Sequence, residues 1–229
     1  MGSRPSASRK RLNCTGQILE WMIQVLDNST GGGYMADEIA KRLPDSEVFN
    51  YPNEDGDPSI EGVEALVIGG SEVGMYDEPD EPWISDEKAF VQDAIDRRIP
   101  ILGICFGHQL LHEMLGGTVV DSGVSRYHLV RASFDDDELL AGVDSIVPVL
   151  HSDVVTEPAD TLETIGRTDY NDYFASRHRD LPLWTVQYHP EFTPDIVDEY
   201  REHWEENELS FEDSTAPQTL ENFSRIVSV

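Results

Sequence analysis

Hydrophobic residues in the first half of the chain form short apolar runs that alternate with amphipathic stretches. The runs are typical of buried strands, and the stretches repeat apolar residues at helical spacing. Strands are predicted at 22–26, 47–50, 65–68 and 100–104, and helices at 34–43, 83–97 and 106–115. This alternation predicts an α/β fold with a single open, mostly parallel sheet and helices on both faces.

The second half of the chain is less regular and is more acidic between its apolar runs. Strand composition recurs at 118–121, 126–133, 146–150 and 182–188, an acidic helix is predicted over 195–209, and a last short helix over 220–227. No Pro- or Gly-rich linker separates the two halves. We therefore expect one domain that covers residues 22–229.

Residues 1–21 differ from the rest of the chain in charge. They carry four basic residues and one acidic residue, whereas the whole chain has 16 Lys and Arg against 45 Asp and Glu. The segment lacks the apolar core of a secretory signal. We expect either a disordered extension or a mis-assigned start, with Met22 as the true beginning. Cys14 lies in this segment, and no chemical role is expected for it.

The net charge of −29 excludes several classes of partner. Nucleic-acid affinity comes from Lys and Arg, and anionic membranes repel an acidic surface, so neither is expected as a partner. No apolar run approaches the roughly 18 residues that cross a bilayer. The two cysteines form no disulfide framework, which favours a reducing, cytoplasmic location.

The excess of acidic residues extends along the whole chain rather than forming a tail. Such a surface repels itself at low salt and is screened at high ionic strength. We expect a halophilic archaeal protein from a salty cytoplasm. The alternative is an ordinary acidic protein.

Three glycines follow the first predicted strand, at 31–33, and resemble part of a phosphate-binding loop. Ala36 occupies the place of the third glycine of a GxGxxG fingerprint, and no GK[ST] motif follows. A plain strand–helix turn is favoured, and no cofactor is expected. The histidines show no ligand spacing typical of metal sites, so no metal is expected either.

The sequence G-x-C-x-G around Cys105 joins a buried strand directly to an amphipathic helix. Gly103 and Gly107 leave room for the tight turn of a nucleophile elbow. The turn places the sulfur at a helix N-terminus, where the macrodipole favours thiolate and backbone N–H groups can hold an oxyanion. The alternative is a small buried core cysteine. We predict that Cys105 is a nucleophile.

A thiolate nucleophile needs a histidine base, and that base needs an orienting acceptor. His189 follows an apolar run and precedes Pro190, and Glu191 is close enough to reach back to its imidazole. Open α/β sheets place their sites at the carboxyl ends of strands. His189 and Glu191 are therefore the predicted partners of the cysteine.

Two segments carry a family resemblance, Gly103-Ile-Cys-Phe-Gly-His-Gln109 and Gln187-Tyr-His-Pro-Glu-Phe192. They resemble the class I (triad) glutamine amidotransferases, especially the amidotransferase domain of GMP synthase and its stand-alone relatives. The resemblance spans about residues 22–192 and implies a flavodoxin-like sheet. It implies hydrolysis of L-glutamine to glutamate and ammonia through a γ-glutamyl thioester.

The resemblance also assigns roles to individual residues. It implies Cys105 as nucleophile, His189 as base and then acid, and Glu191 as the orienting carboxylate. It implies Gly70 and Phe106 as backbone donors of an oxyanion hole and Gln109 as a substrate contact. The His151-Ser-Asp153 element is expected to be a structural turn near the site.

The sequence departs from the family around 125–130, where Tyr127 and His128 replace a glycine-containing turn that contacts the substrate's α-carboxylate. These contacts stay unassigned. The SGGxDS signature of ATP pyrophosphatases is missing, so any ammonia-accepting synthetase is expected to be a separate chain. Two alternatives stay open: a stand-alone γ-glutamyl peptide or amide hydrolase, and a non-catalytic regulatory subunit.

Overall fold

The computed structural model describes residues 10–12, 18–20, 22–32, 34–197 and 201–228. Near the N-terminus, the short strands 10–12 and 18–20 pair antiparallel. The other residues of the expected extension, with Cys14, lie outside the described residues. The predictions of a disordered extension and of a start at Met22 stay predictions.

The described chain alternates strands and helices from Met22 to Met114 and then becomes rich in strands. The strands are β1 Lys10–Leu12, β2 Ile18–Glu20, β3 Met22–Asp27, β4 Ser46–Asn50, β5 Val63–Ile68, β6 Ile101–Ile104, β7 Thr118–Phe134, β8 Ile146–Glu157, β9 Leu162–Thr168, β10 Ala175–His178 and β11 Leu183–Val186. The α-helices are α1 Tyr34–Arg42, α2 Trp83–Asp96, α3 Phe106–Met114, α4 Pro194–Val197 and α5 Gln218–Val227.

Nine of the described strands form one open mixed sheet, in the order β4-β3-β5-β6-β11-β10-β9-β7-β8. Neighbours from β4 to β11 pair in parallel, and neighbours from β11 to β8 pair antiparallel. The predicted α/β class with a single open sheet is confirmed. Parallel pairing is confined to the first-half strands and β11, because only these are joined by the helical crossovers that parallel pairing needs.

Helices cover both faces of the parallel part, as predicted. Alternate residues of β5 point to opposite faces: Ala65 and Val67 pack in the core with α1 and α5, while Leu66 and Ile68 pack with α2 and α3. Fully buried strands of this kind are continuous apolar runs, which explains why the sequence pattern located them well.

The predicted acidic helix over 195–209 is wrong. Helix α4 ends at Val197, and the described residues 201–208 form turns and loop. The ring of Trp204 stacks between Phe192 and Phe211, with centroids 6.0 and 5.6 Å away. Like charges along this stretch disfavour a helix, and the aromatic stack holds the chain in a different path.

Three details of the strand pattern also differ from the predictions. The strands predicted at 118–121 and 126–133 are one strand, β7, whose register shifts between Asp121 and Arg126. The turn predicted at 151–153 lies inside β8, since that strand continues to Glu157. Strands β9 and β10 were not predicted, because their polar residues interrupt any apolar run.

Within the described part of the chain, no helix is both long and apolar enough to span a bilayer.

Candidate active site

Cys105 occupies a sharp turn between β6 and α3. Its backbone has φ 53° and ψ −102°, a conformation that residues with a Cβ rarely adopt. An added Cβ on Gly103 would lie 2.5 Å from the Gly107 carbonyl oxygen, and one on Gly107 would lie 2.4 Å from the Ile68 carbonyl oxygen. The predicted steric requirement for glycine on both sides of the cysteine is confirmed.

The parallel pairing of β6 with β11 brings the second motif to the same sheet edge. Val186 pairs with Ile104, so the residues after both strands lie side by side. The Cys105 N–H donates to the Val186 carbonyl at 2.9 Å, and the His189 N–H donates to the Pro148 carbonyl at 3.0 Å. The backbone therefore fixes both residues at the carboxyl ends of neighbouring strands, where open α/β sheets place their sites.

His189 and Glu191 form a buried pair. His189 Nδ1 lies 2.6 Å from Glu191 Oε1, and the two side chains are 1% and 0% exposed. Burial alone would lower the pKa of His189, but the Glu191 carboxylate and the adjacent Cys105 raise that pKa well above its ordinary value. The site favours an imidazolium beside the sulfur.

The remaining nitrogen of the imidazole is available for proton transfer. His189 Nε2 is buried and has no hydrogen-bond partner among the described residues, while the Cys105 thiol donates to the Leu150 carbonyl at 3.6 Å. Because Nδ1 is bound by the carboxylate, the free nitrogen is the one that can exchange a proton with the thiol or with a substrate.

The other residues expected at the site also lie at this sheet edge. Gly70 follows β5, and a Cβ added there would lie 3.1 Å from His189 Cε1 and 3.7 Å from Cys105 Cβ. Phe106 begins α3 directly after the cysteine. Gln109 is buried one turn later, where its Nε2 donates to the Asp153 carbonyl at 3.3 Å. The fold thus brings together all six residues that the sequence singled out.

A cavity of about 350 Å³ opens beside Cys105, His189 and Gln109. The sequence analysis had not assigned most of its wall, which is lined by Met35, Ser71, Glu72, Val73, Gly74, Tyr76, Tyr127, Leu150, His151, Ser152, Asp153 and His203. Tyr127 and His203 contact each other with ring centroids 5.8 Å apart. Only Tyr127 could have been found from sequence, because it stands where the family pattern is broken.

His151 lines the cavity as a neutral group. Its Nδ1 lies 2.9 Å from the Asp153 carbonyl oxygen, so that nitrogen donates, and its Nε2 accepts from the Tyr170 hydroxyl at 3.0 Å. Burial lowers the pKa of His151 to about 3. With both nitrogens occupied and no charge, His151 is unsuited to act as a base.

The other histidines do not form a metal site. His108 and His112 are buried against each other with ring centroids 4.6 Å apart, and burial lowers both pKa values. Across the described ranges, no group of three His, Cys, Asp or Glu side chains could hold a metal ion.

Comparison with known proteins supports one family. The family model for glutamine amidotransferase class-I matches residues 32–203. The GMP synthase [glutamine-hydrolyzing] of Petrotoga mobilis is 31% identical over 160 residues, which cover 67% of this chain and 30% of that protein. One of the separately encoded GMP synthase [glutamine-hydrolyzing] subunits, from Methanopyrus kandleri, is 39% identical over 109 residues, which cover 43% of this chain and 58% of that protein.

The fold has close counterparts among solved structures. A glutamine amidotransferase from Thermotoga maritima superposes with a TM-score of 0.73 at 16% identity, covering 91% of this chain and 99% of that one. The chain spans about a third of the length of several full-length GMP synthases that it matches. The family match covers most of the chain, and the protein therefore belongs to the class-I glutamine amidotransferases.

Proposed function

We propose that the chain hydrolyses L-glutamine to glutamate and ammonia with Cys105 as nucleophile, His189 as general base and acid, and Glu191 as the carboxylate that orients and charges the imidazole. The observation that carries this proposal is the buried His189–Glu191 pair beside a cysteine on a strained elbow. Each group has the environment that its role needs: a base with one free nitrogen, a bound carboxylate and a sulfur at a helix start.

The reaction follows from this arrangement in two halves. The Cys105 thiolate attacks the side-chain amide carbon of glutamine, and the oxyanion accepts hydrogen bonds from the N–H groups of Gly70 and Phe106. His189 gives its Nε2 proton to the departing nitrogen, which leaves as ammonia. The products of this half are ammonia and a γ-glutamyl thioester.

Water completes the reaction at the same histidine. Neutral His189 takes a proton from the water as its oxygen attacks the thioester carbonyl. The C–S bond then breaks, the electron pair returns to sulfur as thiolate, and glutamate leaves. Gln109, on the cavity wall, is placed to contact the bound glutamine.

We propose that the ammonia passes to a separate synthetase, as in a GMP synthase built from two chains. Two facts support this step. One relative is named as a single subunit of a GMP synthase, and the full-length GMP synthases extend well beyond the region that they share with this chain. A cytoplasmic location and L-glutamine as substrate belong to the same proposal.

The test is glutamate release from L-glutamine by the purified chain in molar KCl, beside release from γ-glutamyl methylamide. We expect glutamine to be hydrolysed, with a higher rate when the cognate synthetase and its substrates are added. Turnover of the methylamide alone would instead identify a γ-glutamyl amide hydrolase. If neither compound reacts with or without the synthetase, the chain is a non-catalytic subunit.

We further propose that the acidic surface is adapted to high salt. In thermal unfolding followed by circular dichroism, we expect molar KCl to raise the Tm by about 5 °C or more, since the Debye length falls from about 10 Å at 0.1 M to about 3 Å at 1 M. Most acidic side chains have no basic neighbour, because 45 acids share 16 Lys and Arg. The control is an equal osmolarity of sucrose. A Tm that does not change with KCl contradicts the proposal.

A further inference from the structure

Glu87 is a buried acid in α2 that the proposed reaction does not use. It is 0% exposed and accepts a hydrogen bond at Oε1 from the Asn28 side-chain amide at 3.0 Å. Asn28 is also 0% exposed and follows β3, 59 residues away in sequence. A carboxyl group is rarely enclosed in this way unless a specific partner holds it.

The hydrogen-bonding capacity of the pair matches a protonated acid against an amide. Burial raises the pKa of Glu87 to about 8, while the Asn28 hydrogen bond and the Lys88 ammonium act in the opposite direction. The atoms that lack partners are Glu87 Oε2 and Asn28 Oδ1. A neutral Glu87 carries the O–H that Asn28 Oδ1 can accept, which closes a two-bond acid–amide pair.

The pair adjoins the turn that supplies Gly70. The Asn28 amide nitrogen lies 3.5 Å from the Gly69 carbonyl oxygen, and the Gly107 N–H donates to the same oxygen at 3.2 Å. The two donors come from the end of β3 and from the first turn of α3. Together they hold this carbonyl from one side.

The orientation of this carbonyl fixes the orientation of the next N–H. In a trans peptide the oxygen of Gly69 and the hydrogen of Gly70 point in opposite directions. Gly70 lies against Cys105 and His189, so a carbonyl held toward Asn28 leaves the N–H on the side of the nucleophile. Because two glycines rotate more freely than other residues, this peptide needs an external restraint.

We propose that Asn28 and Glu87 are positioning residues that hold the Gly69–Gly70 peptide with its N–H directed at the oxyanion of the reacting amide. Asn28 acts on the carbonyl, and Glu87 orients the Asn28 amide. This inference rests on the proposed function. It adds two residues, one from a loop and one from a helix, that do not touch the substrate.

The test compares kcat and KM for Asn28→Leu, Glu87→Leu and Glu87→Gln. An oxyanion donor acts mainly in the transition state, so we expect both leucine variants to lose about 10- to 100-fold in kcat with KM changed less than about threefold. Glutamine reproduces both hydrogen bonds of the neutral acid, so Glu87→Gln should stay within about threefold of wild type. Because Glu87 acts through Asn28, the double leucine variant should be no slower than Asn28→Leu.

The rate of Cys105 alkylation by iodoacetamide separates positioning from damage to the fold. Alkylation needs the thiolate but no oxyanion hole, so its rate should stay within about twofold of wild type in every variant. The proposal is overturned if the leucine variants keep kcat, if Glu87→Gln is as slow as Glu87→Leu, or if alkylation falls in step with kcat.

Failure of the proposed function is recognised in the wild type and not in the variants. If wild type hydrolyses γ-glutamyl methylamide and not glutamine, the same comparison is made with the methylamide, since both pass through an oxyanion. If wild type hydrolyses neither, both proposals are wrong.

Discussion

Replacing Cys105 with serine is expected to lower kcat for glutamine hydrolysis by about 10⁴-fold or more, the scale on which loss of a triad nucleophile acts. A hydroxyl is far less acidic than a thiol, so the imidazolium of His189 cannot hold it as the anion. The substitution preserves side-chain size on the elbow. The measurement is steady-state glutamate release, with mass spectrometry of the quenched enzyme to detect a γ-glutamyl adduct.

Cys14→Ser is the matched control for this prediction, because Cys14 is the other cysteine of the chain. We expect Cys14→Ser to keep wild-type kcat and to form the adduct, and Cys105→Ser to form none. Retention of activity by Cys105→Ser would show that another group attacks the amide.

Replacing Glu191 with glutamine is expected to lower kcat by roughly 10²- to 10⁴-fold, as when the carboxylate of a Ser-His-Asp triad becomes an amide. The neutral amide cannot stabilise a buried imidazolium at 2.6 Å. The carboxylate raises the pKa of His189, so its removal lowers that pKa, and the alkaline limb of kcat/KM should move to lower pH. The measurement is a pH profile of kcat/KM.

Asp195→Asn is the control for the Glu191 variant. Asp195 is an exposed acid in the first turn of α4, and its replacement removes one charge at a distance from the imidazole. We expect it to leave both kcat and the pH profile unchanged. A Glu191→Gln enzyme with a wild-type profile would show that the carboxylate has no part in charging His189.

The parallel part of the fold was predictable because burial on two faces demands uninterrupted apolar runs. Strands such as Val63–Ile68 and Ile101–Ile104 consist largely of aliphatic residues. The antiparallel part was less predictable. Polar residues such as Ser176 and Glu163 interrupt β10 and β9, and only the pairing with neighbouring strands shows that these segments are strands.

The centre of the candidate site was predictable because it depends on local steric requirements. A nucleophile on a tight turn needs glycine at 103 and 107, and a histidine next to a proline is held in one direction. The cavity wall was not predictable in this way. His203 reaches the cavity because Trp204 stacks on Phe192, a long-range contact with no local sequence pattern. The Asn28–Glu87 contact spans 59 residues and has no pattern either.

The left-handed backbone at Cys105 sets stability against chemistry at a single position. A residue with a Cβ held at φ 53° costs about 1–3 kcal/mol that glycine would largely avoid. Selection for thermal stability alone would therefore favour Cys105→Gly, which relaxes the turn and removes the sulfur. Position 105 is thus one where an improved fold and a working enzyme require different residues, and stabilising libraries of this chain need that codon held fixed.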